Sequence, residues 1–127
     1  MVVDTSALVA VLFNEDTTPW VANQLELNRA EIMMSAVNFA EVLVLIGDRQ
    51  PHLAPEIRAA IEATGIRIVP STLAHAELAA AARLKYPLNF GDCFAYALAK
   101  HEDLPLLTLD RDFRKTDITV VTPRRSN

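Results

Sequence analysis

Four short apolar segments, each separated from the next by helical patterns, constrain the fold of this chain more than any other feature. They cover residues 1–4, 32–35, 66–69 and 106–109, and a possible fifth segment covers residues 119–121. Strands that alternate with helices form a mostly parallel sheet that helices cover on both faces. We therefore predict an α/β fold, a three-layer α/β/α sandwich with a mostly parallel central sheet of four to five strands.

Capping residues indicate where the helices between these strands begin and end. Thr18 followed by Pro19 predicts an N-cap with proline at the first helical position. Ser35 is expected to cap a strongly apolar helix that runs to about Gly47. A further helix is expected to open near residue 89 and to reach about residue 103.

The length and composition fit one domain that covers residues 1–127. The chain carries one cysteine, Cys93, so it has no internal disulfide and fits a reducing compartment. The apolar stretch at residues 2–13 is too short to span a membrane, and Asp4 interrupts it. We expect a cytoplasmic protein with no membrane association. The formal net charge of −4 argues against a broad, non-specific binder of nucleic acid, but it does not exclude a nuclease with an acidic metal site.

Four carboxylates stand in apolar surroundings, where an unpaired charge is costly. They are Asp4, Glu41, Asp92 and Asp110, called the four acids below. Asp4 and Asp110 each follow a predicted strand directly, and parallel strands would bring both to the same edge of the sheet, where ligands of such folds bind. Each acid also has a structural explanation, such as a helix cap, a turn or a pairing with an arginine.

Taken together, the four acids favour a cation site. Converging carboxylates without a cation would repel one another and would take up protons. Mg²⁺ prefers oxygen ligands and keeps several waters, so it resolves that conflict. The three histidines are scattered and Cys93 has no cysteine partner, which disfavours a thiol or imidazole site. The three glycines form neither a P-loop nor a dinucleotide-binding fingerprint.

The segments that carry these acids resemble the motifs of PIN-domain nucleases, specifically the VapC-type toxins of toxin–antitoxin systems. The four segments are VVDTSAL at 2–8, SAVNFAE at 35–41, LNFGDCFAYALA at 88–99 and LTLDRDF at 107–113. They occur in the family's order over essentially the whole chain. The resemblance implies a single PIN domain over residues 1–127 in which the four acids bind the metal and carry catalysis.

The resemblance also implies supporting residues around the acids. Ser6 corresponds to the hydroxyl that supports the first acid, and Thr108 to the polar residue before the fourth. The fourth acid is Asp110 or Asp112. We prefer Asp110 because it follows the strand directly, with Asp112 acting through a water.

The activity implied by the resemblance is that of a Mg²⁺-dependent endoribonuclease toxin, with Mn²⁺ able to substitute. Hydrolysis by a metal-activated water would leave a 5′-phosphate and a 3′-hydroxyl. Family members are typically homodimers that a cognate VapB antitoxin neutralises in a larger toxin–antitoxin hetero-oligomer. Three basic residues are candidates for RNA contact, with a solvated surface as an equal alternative: Arg111, Arg114 and Lys115.

Two other functions compete with this interpretation. Asp4 at a strand end would suit the nucleophile of a small phosphatase or receiver-like domain, but Thr5 and Ser6 stand where such proteins need a further acid. The second alternative is an interaction module that has kept the fold without catalysis. The intact set of four acids argues against it.

Overall fold

A five-stranded parallel sheet forms the centre of the protein in the computed structural model, which describes residues 1–124. The strand order is β3-β2-β1-β4-β5, and every neighbouring pair is parallel. The strands are β1 (Val2–Val3), β2 (Met33–Ser35), β3 (Arg67–Val69), β4 (Leu106–Leu107) and β5 (Val120–Val121). The predicted α/β class and parallel sheet are confirmed. Residues 125–127, the end of the predicted domain, lie outside the described part of the chain.

Within the described residues, six α-helices connect and cover the strands. They are α1 (Thr5–Leu12), α2 (Thr18–Leu27), α3 (Ala36–Arg49), α4 (Ala54–Ala63), α5 (Leu73–Lys85) and α6 (Phe90–Glu102). Two 3₁₀ turns, Pro51–Leu53 and Arg111–Lys115, complete the regular structure of residues 1–124. None of the helices in this described part is long and apolar enough to cross a bilayer.

The sheet separates two apolar cores, one on each face. Val3 belongs to the core to which helices α1 to α4 contribute, whereas its neighbour Val2 belongs to the core of helices α5 and α6. Successive side chains of a strand point to opposite faces, so both must be apolar when both faces are covered. Phe113, from the second 3₁₀ turn, is fully buried in the α5–α6 core. The three-layer prediction is therefore confirmed.

The topology places a crevice between β1 and β4. From β1 the chain adds β2 and β3 on one side, and later adds β4 and β5 on the other side. In open parallel sheets, ligands bind beyond the carboxyl ends of the strands at such a reversal of strand order. Val3 pairs with Leu107 in this register, so the residues that follow both strands emerge side by side.

Two predicted helix boundaries were wrong. Thr18 is not the N-cap of α2, because Thr17 takes that position and the Thr18 hydroxyl donates to the Ala10 carbonyl at 2.6 Å. Gly47 does not end α3, which continues to Arg49. Gly47 has no positive φ and a side chain there would meet only open space, so nothing at this position forces the helix to stop.

Candidate active site

Asp4 emerges from β1 as a buried carboxylate that is also the N-cap of α1. Its side chain is 3% exposed. Oδ1 accepts hydrogen bonds from the Ala7 amide at 3.0 Å and the Ser6 hydroxyl at 2.8 Å, and Oδ2 accepts a short one from the Thr108 hydroxyl. Oδ1 thus accepts two hydrogen bonds and Oδ2 accepts one, so donors restrain both oxygens while Oδ2 retains one lone pair. This counts against the alternative in which Asp4 is a freely attacking nucleophile.

Thr108 and Ser6 connect the end of β1 to the end of β4. The Thr108 hydroxyl accepts from the Asp110 amide at 2.9 Å, and the Ser6 hydroxyl accepts from the Leu109 amide at 3.0 Å. These bonds turn residues 108–110 toward Asp4, which is why β4 ends at Leu107 rather than at Leu109. Both hydroxyls therefore bond the Asp4 carboxylate and the backbone that follows β4.

Glu41 reaches the same region from the second turn of α3. Its Oε1 accepts from the Thr5 hydroxyl at 2.7 Å and from the Asn38 side-chain amide at 2.8 Å. Asn38 Nδ2 also donates to the carbonyl of Gly91 at 3.0 Å, across to α6. Ser35 begins α3 by accepting from the amides of Val37 and Asn38, as predicted. Glu41 is therefore oriented by both its own helix and α1.

Asp92 lies in the first turn of α6, where the Asn89 side chain accepts from its backbone amide at 2.8 Å. Burial, followed by the charges of Asp110 and Asp4, raises the pKa of the Asp92 carboxyl to about 7, and Glu41 adds a smaller effect in the same direction. The other three acids therefore lie near enough to Asp92 for their charges to disfavour its ionised form. Repulsion of this kind is expected where carboxylates converge without a cation.

Burial also raises the pKa of Asp4 to about 6, although the hydrogen bonds from Thr108, Ala7 and Ser6 oppose the shift. The charge of Asp110 raises it further. Two carboxyls with raised pKa values in one crevice are typical of a functional site. They also mark a place where a cation would lower the free energy of the charged form.

The donor set fits a hard divalent cation. Within residues 1–124, no group of three or more His, Cys, Asp or Glu side chains is arranged to hold a metal ion. Mg²⁺ does not require such a group, because it is usually held through one or two carboxylates, several waters and substrate phosphates. All four acids supply oxygen and none supplies nitrogen or sulfur, as Mg²⁺ and Mn²⁺ prefer. Cys93 is buried in the α5–α6 core.

The basic residues and Asp112 lie on the neighbouring 3₁₀ turn. Asp110 is the N-cap of that turn and accepts from the Asp112 amide at 2.9 Å. The Asp112 carboxylate is half-exposed and pairs with Lys115 at 3.2 Å. The charge of Asp110 raises the pKa values of both Asp4 and Asp92. This geometry favours Asp110 as the fourth acid.

The two arginines of the predicted RNA-contacting set differ in exposure. Arg114 is exposed, whereas Arg111 is partly buried and donates to the Pro123 carbonyl at 3.4 Å. Arg111 thereby contacts the segment that follows β5. Arg114 and Lys115 are both exposed, although Lys115 pairs with Asp112.

Sequence reasoning missed three residues of the site: Thr5, Asn38 and Gly91. Asn38 lies three residues before Glu41, a spacing that places two helical side chains on one face, so a polar residue there was a usable signal. Gly91 precedes Asp92 inside a helix, where glycine is less favourable than alanine. A Cβ at Gly91 would lie 2.2 Å from Glu41 Oε2, so only glycine admits the carboxylate in this position.

Comparison with known proteins finds one matching family model and several similar ribonucleases. The model of the PIN domain family matches residues 1–118. Ribonuclease VapC28 of Mycobacterium tuberculosis is 35% identical, with coverage of 98% of this chain and 100% of the relative. Ribonuclease VapC30 of the same species is also 35% identical, with coverage of 95% and 98%.

Solved structures are similar over the same extent. A toxin–antitoxin complex from Klebsiella pneumoniae contains a chain that is 27% identical, with a TM-score of 0.78 and coverage of 98% of both chains. VapC20 of Mycobacterium tuberculosis, a toxin that cleaves the sarcin-ricin loop, has a TM-score of 0.80 at 22% identity, with coverage of 96% of this chain and 98% of that one. At that identity the likeness to VapC20 concerns the fold alone.

Proposed function

This chain belongs to the PIN-domain family, and we propose that it is a divalent-metal-dependent endoribonuclease of the VapC type. The observation that carries the proposal is the convergence of the four acids beyond the ends of β1 and β4, where Asp110, Asp4 and Glu41 all raise the pKa of Asp92. Sequence similarity to the VapC ribonucleases over nearly the whole chain supports RNA as the substrate.

Each acid has a distinct part in the proposed site. Burial raises the pKa values of Asp4 and Asp92, so a bound cation would stabilise their charged forms, and these two acids are the primary ligands. Glu41 and Asp110 complete the oxygen set from the two sides of the crevice. When bound, Mg²⁺ or Mn²⁺ supplies a lowered water pKa and stabilises negative charge on the phosphate. The protein orients the carboxylates, the bound cation would favour their charged forms, and the products would carry a 5′-phosphate and a 3′-hydroxyl.

The same comparisons support a proposal about the partners of this chain. The Klebsiella pneumoniae relative was solved as a toxin–antitoxin complex, and we propose that this chain is a toxin neutralised by a VapB-type antitoxin. An arginine or lysine of the antitoxin would suit the acidic crevice, since it offers charge-assisted hydrogen bonds to the carboxylates. We propose a homodimer within a larger hetero-oligomer, which light scattering of the purified protein and of its antitoxin complex tests.

The test is cleavage of total RNA by protein freed of bound inhibitor through denaturation and refolding. Asp92→Asn removes an acid at the start of α6, and Asp103→Asn is the matched control at the C-cap of the same helix. Asp103 adopts a left-handed conformation that asparagine tolerates well. We expect discrete 5′-phosphate products with Mg²⁺ or Mn²⁺. They should disappear with chelator and with Asp92→Asn but persist with Asp103→Asn.

Two results would contradict the proposal. Products with a 2′,3′-cyclic phosphate would exclude hydrolysis by a metal-activated water. A refolded protein that neither binds Mn²⁺ nor cleaves RNA would favour the interaction-module alternative.

A further inference from the structure

The two oxygens of the Glu41 carboxylate have different surroundings. Oε1 accepts both the Thr5 hydroxyl at 2.7 Å and the Asn38 amide at 2.8 Å. The Thr5 hydroxyl has one proton, and its alternative acceptor, the Asn38 carbonyl, is farther at 3.3 Å and uncharged. Within residues 1–124, no donor reaches Oε2. One oxygen of Glu41 is therefore occupied by the protein, and the other is available.

The two donors tie Glu41 to the chain positions next to two other acids. Thr5 directly follows Asp4. Asn38 also donates to the carbonyl of Gly91, 53 residues away, and Gly91 directly precedes Asp92. The group formed by Thr5, Asn38, Glu41 and Gly91 is called the Glu41 clamp below. It sets the place of Glu41 relative to both β1 and α6.

Asn38 carries an unusual structural penalty. Its side chain is 1% exposed, and its Oδ1 is buried without a hydrogen-bond partner in the described chain. Both groups that face its amide nitrogen are acceptors, the Glu41 carboxylate and the Gly91 carbonyl, so the amide cannot turn over to satisfy Oδ1. An unsatisfied buried acceptor is destabilising, and such groups in native proteins call for an explanation. Orientation of Glu41 provides one.

We propose that Asn38 and Thr5 are positioning residues that present Glu41 to the metal as a one-oxygen ligand through Oε2, an inference that rests on the proposed function. Mg²⁺ demands near-ideal octahedral geometry, whereas Ca²⁺ accepts two-oxygen carboxylate binding and irregular geometry. A carboxylate with one oxygen already held by the protein favours the smaller ion. The Glu41 clamp thus contributes both affinity for Mg²⁺ or Mn²⁺ and discrimination against Ca²⁺.

The sharpest test compares Thr5→Val with Thr5→Ser. Valine keeps the shape of threonine but removes the donor, whereas serine keeps the donor. We expect Thr5→Val to weaken Mn²⁺ binding, followed by its electron paramagnetic resonance signal, by about 10- to 100-fold, the range for loss of a partner of a metal ligand. Thr5→Ser should stay within about twofold of wild type. Competition with Ca²⁺ should become more effective in Thr5→Val.

Two further measurements separate positioning from a loss of folding. Thermal unfolding without metal should remain cooperative for both Thr5 variants, and RNA cleavage by Thr5→Val should recover at raised Mg²⁺ concentration. Asn38→Ala should weaken Mn²⁺ binding in the same way, although it also leaves a buried gap. Recovery at high Mg²⁺ is not expected of a protein that is merely unfolded.

Each outcome decides a different claim. If wild type binds Mn²⁺ and cleaves RNA while Thr5→Val matches it in Mn²⁺ affinity and in Ca²⁺ competition, the Glu41 clamp has no positioning role and the proposed function stands. If wild type itself binds no Mn²⁺, the proposed function fails and this inference fails with it. Equal weakening in Thr5→Ser and Thr5→Val would also overturn the inference, because the hydroxyl would then not be the cause.

Discussion

Gly91→Ala is the substitution whose effect the structure defines most closely. The added Cβ would lie 2.2 Å from Oε2, 2.6 Å from Cδ and 2.7 Å from Oε1 of Glu41. All three separations are far inside van der Waals contact, so either the carboxylate or α6 must move. A shift of α6 against its neighbours is an overpacking strain of about 1–3 kcal/mol.

Displacement of Glu41 is the easier response. The displaced Glu41 loses its hydrogen bonds from Thr5 and Asn38. Because Glu41 is only partly buried, water replaces these bonds, and each loss costs about 1 kcal/mol net. Alanine in place of glycine stabilises a helix by up to about 1 kcal/mol, which offsets part of this loss. The free energy of unfolding should therefore fall by roughly 0–2 kcal/mol, a change that a domain of ordinary stability survives. RNA cleavage and Mn²⁺ affinity should fall by at least about 10-fold, because Glu41 no longer faces the crevice.

Gly47→Ala is the matched control. Gly47 lies within α3, and a Cβ there meets nothing within 4 Å. This variant should gain about 0.5–1 kcal/mol in urea denaturation and keep wild-type cleavage. If Gly91→Ala retains Mn²⁺ affinity and cleavage within about twofold of wild type, the close approach of Glu41 to α6 is not needed for function, and the reasoning above is refuted.

Three further predictions concern the acids and their surroundings. The pKa of Asp92 is about 7 in the folded chain, above the ordinary value of 3.8 for an aspartate carboxyl. Metal-free protein therefore loses stability as pH rises between these values, and Asp92→Asn should gain stability relative to wild type across that range in urea denaturation. A pH-independent difference between the two proteins would contradict this. Thr108→Val leaves a buried oxygen of Asp4 and the amide of Asp110 without their partner. It should lower the free energy of unfolding by about 1–3 kcal/mol and abolish cleavage. An unchanged melting temperature would contradict this prediction. Arg114→Ala should raise the KM for RNA and reduce its salt dependence without changing Mn²⁺ affinity, whereas a fall in Mn²⁺ binding would indicate a different role.

The local sequence pattern was enough to predict the fold class and the shared position of two of the four acids, Asp4 and Asp110. Short apolar runs flanked by capping residues act within a few residues, so they predicted the parallel sheet and the Ser35 cap without reference to distant contacts. Asp4 and Asp110 could be placed together for the same reason. Each follows a strand, and parallel register brings strand ends to one edge.

Other features depended on contacts that no local pattern encodes. The bond between Asn38 and Gly91 joins residues 53 apart and depends on how α3 crosses α6. Asp110 and Asp112 differ in their surroundings. Hydrogen bonds to Thr108 and Ser6 turn the backbone so that Asp110 lies toward Asp4, whereas Asp112 pairs with Lys115. Local propensity indicates which residues form a helix or strand, but helix packing decides which side chains meet. The Glu41 clamp is a product of that packing, and it was visible only in the tertiary structure.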